Sequence, residues 1–443
     1  MLFSVTAVAV LAATLFGSTY TQTQIVGSTL AVSKGDDPLQ AVRDMGGLKL
    51  VMPQAFAQVN CDNIEEGRNV VPVDLIAQSV ELPVIGGGTF KAMTFNGQVP
   101  GPTVRVTQGD VIMATLTIPD DEPTPHGNDM HASEMSAANF GKVLPGESRT
   151  YCYVAQVPGT FKYHCSGVDV AAMDQHVLSG MYGMTIVDPL KGYKPLIVDK
   201  TKVEDGQVVR DRQTYSADAL EFQLQYNQLY LTDDGSYDQG KMFKHETTWT
   251  VVNGMSFGYV PNEDHNKLIK GDENKNIFVA QPWNSKDLKQ YQSQLLFVEE
   301  GQKVRFFVEN QGNEPVYWHI VGEIIDRVTQ GNVVQAKGTE TWLVGGSQGM
   351  IADVVFDNPG VYVAVNHDYA AIFTGAASVF VVGDPFGLNE QLGTNAPSYA
   401  HLLGNPSDAI PPAGKNTIDH PKVNLHGLYT DERADEIKAE LGI

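Results

Sequence analysis

The chain has 443 residues, is 42% apolar and carries a formal net charge of −22. It is too long for one ordinary sandwich domain, and apolar enough to build large cores rather than remain disordered. Its acidic balance, with no basic run, excludes a nucleic-acid reader, because neutralising phosphates takes clustered lysine and arginine. An acidic surface serves solubility in salt or attracts a basic partner.

The chain opens with an apolar run, Met1 to Phe16, and has no charged side chain before Lys34. A run of this kind reads as an export signal or a short membrane anchor, which places the protein in a periplasm or pseudoperiplasm. Ala55-Phe56-Ala57 is a second small-x-small cleavage pattern. No later segment has the apolar length of a membrane span. Residues 1–60 are therefore read as signal and arm.

From Val70 the pattern changes to short alternating segments punctuated by glycine and proline, which predicts an all-β protein of sandwich type. Val104 to Val106, Val111 to Ile118, Tyr151 to Val157, Thr160 to His164 and Met184 to Val187 read as strands. The second half echoes the first. Asn96-Gly97 returns as Asn253-Gly254, and Pro158-Gly159-Thr160-Phe161 as Pro359-Gly360-Val361-Tyr362. Val104 to Leu116 returns as Leu295 to Val308, and His126 falls opposite His319. The expected plan is a first sandwich over 61–190, a polar connector over 191–240, a second sandwich over 241–387, and a tail over 388–443. The tail carries His401, His420 and His426, without ligand-like spacing, and a candidate helix from Asp431 to Leu441.

The chemistry concentrates between His126 and Met181. His126, Cys165, His176 and Met181 are two imidazoles, a thiolate and a thioether, the donor set of a blue-copper centre. Cys165 to His176 reads as a single loop. Two histidines are left over, each near one of those ligands in sequence: His131 and His164. With His367 from the second half they make three imidazoles, a set that leaves a metal position open to substrate. His164 and Cys165 are neighbours, and adjacent strand residues point to opposite faces. One peptide unit then joins two metals. If one chain cannot bring His367 to His131, the second centre must form between subunits. Asp129, two residues before His131, reads either as a proton donor or as a turn residue bonded to backbone. Cys61 and Cys152 read equally as a disulfide or as two buried thiols. The chain has no His-x-His pair, which excludes a trinuclear copper cluster of the laccase type.

These residues resemble the copper-containing nitrite reductases, those of ammonia-oxidising archaea among them, over roughly residues 65–387. The matching stretches are His126-x-x-Asp129-x-His131, Tyr163-His164-Cys165, His176-x4-Met181, Val365-Asn366-His367 and Glu340-Thr341-Trp342-Leu343. The resemblance implies two tandem cupredoxin domains of Greek-key form. It implies a type 1 copper on His126, Cys165, His176 and Met181, and a type 2 copper on His131, His164 and His367. It implies Asp129 as the catalytic acid and a homotrimer with each type 2 copper between subunits. Two departures stand out. The Cys165–His176 segment is two residues longer than usual and lacks the family's prolines. Aligning the second-domain histidine segment on His319 puts Ile324 where a catalytic histidine is expected.

The expected activity is one-electron reduction of nitrite to nitric oxide, with a small cupredoxin or cytochrome as electron partner. Ile324 motivates two alternatives: oxidation of another small nitrogen compound such as hydroxylamine, or an electron carrier with an inert type 2 site.

Overall fold

The computed structural model describes residues 61–84, 88–135, 139–167, 170–260 and 296–383. The export segment, Ala55-Phe56-Ala57, the tail histidines and the candidate helix lie outside the described residues.

In the first half the strands are β1 (Val70–Pro83), β2 (Thr89–Phe95), β3 (Val104–Thr107), β4 (Val111–Thr117), β5 (Asp129–Met130), β6 (Ser148–Val154), β7 (Gly159–His164) and β8 (Tyr182–Asp188), with helix α1 (Val170–Leu178) between the last two. They form two four-stranded sheets, ordered β2-β1-β4-β6 and β3-β8-β7-β5. Alternate residues Val73, Leu75 and Ala77 on β1 and Ile112, Ala114 and Leu116 on β4 point into one core with Tyr153 and Tyr163. This is the period-two pattern of half-buried strands.

The hairpin β9 (Leu196–Glu204) and β10 (Gln207–Tyr215) follows. The second half is built from β11 (Leu220–Leu229), helix α2 (Gln239–Phe243), β12 (Trp249–Val252), β13 (Leu296–Val298), β14 (Lys303–Asn310), β15 (Val316–Val321), β16 (Arg327–Gln330), β17 (Val333–Ala336), β18 (Thr341–Val344), β19 (Gly349–Val355), β20 (Gly360–Asn366), helix α3 (Tyr369–Phe373) and β21 (Ala377–Val382). Its sheets are ordered β12-β11-β14-β19-β16-β17 and β13-β21-β20-β15-β18. Phe306 anchors this core, its ring 5.2 Å from Trp318 and 5.5 Å from Phe380.

The two sandwiches repeat one another in register as well as in sequence. β1 runs parallel to β4, as β11 does to β14. β3 runs parallel to β8, as β13 does to β21. Asn96-Gly97 and Asn253-Gly254 both turn with φ positive at each residue, the backbone that Asn-Gly pairs favour. In both turns the asparagine Oδ1 accepts a backbone N–H from the first strand of its sandwich, Ile76 at 2.6 Å and Gln225 at 2.9 Å.

The expected connector needs correction. Leu220–Leu229 is not linker but a central strand of the second sandwich, hydrogen-bonded to β12 and β14. Its glutamines look like a solvated face, but Gln223, Gln225 and Asn227 are buried. They face the first sandwich. Thr103 Oγ1 donates to Gln223 Oε1 at 2.6 Å, and Gln311 Nε2 donates to Gln225 Oε1 and to the Gly183 carbonyl. Lys162 on β7 crosses the same layer and donates to the Gln311 carbonyl at 2.6 Å. Beside it runs a buried ionic ladder: Arg105 pairs with Asp188 and Glu221, Arg305 with Glu221 and Asp353, and Arg327 with Asp353.

Cys61 and Cys152 form a disulfide. It closes a loop 91 residues apart in sequence, which by loop entropy stabilises the fold by roughly 4–5 kcal/mol.

Candidate metal centres

Strand β7 places both centres. Asp129 on β5 is directly opposite His164 on β7, so their side chains share a face of the sheet. Cys165, one residue on, turns the other way into the core of the first sandwich, where Met181 is also buried.

The first cluster brings together His126, Cys165 and His176, all buried. The Cys165 sulfur is 3.6 Å from His126 Nδ1 and 3.4 Å from His176 Nδ1, and the two nitrogens are 3.1 Å apart. Ligand atoms at these separations suit one metal bonded at roughly 2.0–2.3 Å. His126 is fixed by a backbone bridge to Val143. Its neighbour Gly127 is required, since a Cβ there would overlap Ser166 Oγ and press on the Phe140 carbonyl. Burial pushes the Cys165 thiol up to about 11, against the lowering effect of the Gly127 and Gly167 amides. Burial wins, so the thiol keeps its proton at neutral pH until a metal displaces it. Donor chemistry, burial and convergence fit copper.

His176 lies on a helix rather than in a loop, which corrects the sequence reading. Val-Ala-Ala-Met-Asp-Gln-His-Val-Leu has no glycine or proline to break a helix, and alanine favours one. Asp174 on α1 accepts from Tyr237 Oη at 2.6 Å and from Gln239 Nε2 at 3.1 Å. At the helix end the Met181 N–H donates to the His176 carbonyl, and the Cys165 N–H donates to the Met181 carbonyl. The helix thus delivers His176 and Met181 as one unit.

The second cluster brings together Asp129, His131 and His164. His131 Nε2 and His164 Nε2 are 3.0 Å apart, and an Asp129 oxygen lies 3.7 and 3.6 Å from them. His164 Nδ1–H donates to the Cys165 carbonyl at 2.8 Å, which leaves its Nε2 as the lone-pair atom. Burial, helped by the charge of Lys162, holds His131 down at about 4 and His164 well below the ordinary imidazole value. Both are neutral ligands at pH 7. Burial raises Asp129 to about 6 against the lowering pull of Lys162. The donor set fits a copper ion, with two imidazoles supplied from this face.

His367 belongs to neither cluster within one chain. It leaves β20 exposed, its backbone fixed by Asn366, whose Oδ1 accepts from the Tyr317 and Asp368 N–H groups. Beside it stands His319, ring centroids 5.2 Å apart. His319 Nδ1–H donates to the Glu340 carbonyl at 2.6 Å, with Thr341 Oγ1 at 3.5 Å. Ile324 is exposed beyond the end of β15, its N–H bonded to the Glu323 side chain. The imidazole next to His367 is therefore His319, while Ile324, which the alignment sets at the position of a catalytic histidine, lies exposed past the strand. The signal was available in the sequence: Glu340-Thr341 is the segment that holds His319. Around the two histidines Tyr317, Val321, Leu343, Tyr369 and Phe373 are exposed, an apolar surface of a kind that marks interaction sites.

Residues 77–192 match a multicopper oxidase family model. The copper-containing nitrite reductase of Rhizobium sullae is 28% identical over 352 residues, covering 76% of this chain and 82% of that protein. That of Alcaligenes faecalis is 28% identical over 350 residues, covering 76% and 81%. Among solved structures, the copper nitrite reductase of Nitrosomonas europaea is 28% identical, with a TM-score of 0.57 over 71% of this chain and 95% of that one.

Proposed function

We propose, from the premise that this chain is a copper-dependent enzyme of the nitrite reductase and multicopper oxidase kind, that it reduces nitrite to nitric oxide. The reaction takes one electron and two protons and releases water. His126, Cys165, His176 and Met181 would hold one copper, which would supply electron exchange with a small redox protein, and His131, His164 and His367 would hold a second, which would supply the site for nitrite and its reduction. The observation that carries this reading is the single peptide bond between His164 and Cys165, which joins a cluster open to substrate to one that is closed and buried.

The chain's own residues then have separable tasks. Asp129 carries one proton at mildly acid pH, below about 6, and sits within reach of both imidazoles of its cluster. His319, oriented by Glu340 and Thr341, stands beside His367 and supplies the second proton-handling group. A second copy of the chain brings His367 and His319 to Asp129, His131 and His164. The exposed apolar surface around His367 supports that assembly, and a homotrimer closes it as a ring. His319 removes the motive for the alternatives drawn from Ile324.

The test is anaerobic nitric oxide production from nitrite by copper-loaded protein with a reduced artificial donor. Sustained turnover is expected. Its absence, with both coppers present by spectroscopy, would overturn the assignment.

A further inference from the structure

Glu122 sits in the run Asp120-Asp121-Glu122, which reads as a solvated acidic turn, and its two neighbours are indeed exposed. Glu122 is not: its side chain is 2% exposed, against 1% for His126. Three groups converge on its oxygens. The Ser79 N–H donates to Oε2 at 2.6 Å, the Ser79 hydroxyl to Oε1 at 3.0 Å, and His126 Nε2 lies 3.3 Å from Oε1. With His126 Nδ1 turned toward Cys165 and His176, its Nε2 must carry the hydrogen. A carboxylate that only accepts hydrogen bonds is satisfied by this arrangement.

We propose that Glu122 is a positioning residue of the first metal centre: it fixes the tautomer and ring orientation of His126 and, as a buried anion, biases bound copper toward its oxidised state. The inference rests on the copper reading of the His126, Cys165 and His176 cluster. Copper-bound histidines are held by outer partners, and a carboxylate partner raises the donor strength of the imidazole. A second buried negative charge beside the Cys165 thiolate favours the more positive ion. A backbone carbonyl at the same distance would fix the ring without this bias.

Two substitutions separate charge from shape. E122Q keeps the size and an acceptor oxygen but removes the charge. Its ratio of Cu(I) to Cu(II) affinity should rise about tenfold, a shift of ~59 mV to higher potential. S79A removes a donor from the carboxylate and concentrates its charge on His126, so the potential should fall. Both are read by redox titration of the visible absorption band, with circular dichroism to confirm folding. E122A should also lower copper affinity by about 10–100-fold, with E122D restoring part of it. No shift, or shifts of the same sign in E122Q and S79A, would overturn the proposal; if E122Q fails to fold, an unmoved or raised potential in S79A does so alone. Wild-type protein that binds copper without a visible charge-transfer band would instead overturn the copper reading beneath it.

Discussion

In the proposed reaction Asp129 and His319 divide the proton work between them, and their surroundings make that division measurable. The Asp129 carboxyl is raised to about 6 by burial, so it is largely protonated below that pH and largely ionised above it. The rate of nitrite reduction should therefore fall as pH rises through about 6, approaching tenfold per unit. Asp129→Asn should lose that limb of the profile and about 10²–10⁴-fold in rate, while the visible band of the first centre stays. His319→Gln should lower the rate by a similar order and leave the band and the Asp129 limb in place. An unchanged pH profile in Asp129→Asn would remove Asp129 from the mechanism. At this scale the sequence was informative where donor type decides the matter, as at Cys165. It was uninformative where burial decides, as at Glu122, because an acidic triplet gives no sign that its third member turns inward.

Helix α1 shows how an element can be hidden inside a ligand spacing. The step of eleven positions from Cys165 to His176 reads as a loop when only the ligand spacing is considered; the residues themselves, free of proline and glycine after Gly167, favour a helix. Gln175 is exposed and precedes His176, so Gln175→Pro alters mainly the backbone. A proline there removes an i→i−4 hydrogen bond and costs ~3 kcal/mol or more. The variant should lose the visible band of the copper-loaded protein, with Gln175→Ala as the neutral control; a full band in Gln175→Pro would mean that His176 does not depend on the helix. Strand β11 makes the opposite point. Its alternation of apolar residues and amides was visible, but the meaning of the amides was not. Phe222, Leu224 and Tyr226 fill the second core, while Gln223, Gln225 and Asn227 fill the contact between sandwiches. Polar alternation signals an exposed face only when nothing packs on it.

The repeat of two sandwiches was legible from turn pairs and strand spacing, since the same hydrogen-bonding asparagines recur in both. Whether one chain brings His367 to His131 was legible only as a condition; among the described residues His367 joins neither cluster, which is why the second centre is proposed to be shared between subunits. Subunit mixing tests this directly. His131→Ala and His367→Ala chains should each be inactive alone. Dissociated and reassembled together in equal amounts, they should recover about a quarter of wild-type activity, because a random trimer pairs an intact His131 with an intact partner His367 in that share of its sites. No recovery, in trimers shown to be mixed, would place the whole centre within one chain.

The Cys61–Cys152 bridge has a mechanical consequence. Strand β1, which hydrogen-bonds to both β2 and β4, lies inside the covalent loop that the bridge closes. Tension applied to the chain ahead of Cys61 therefore passes through the sulfurs to β6 and does not peel β1 from its neighbours. The sheet that orders Ser79, and through it Glu122 and His126, is thus shielded from a pull on the N-terminal side for as long as the two sulfurs stay joined.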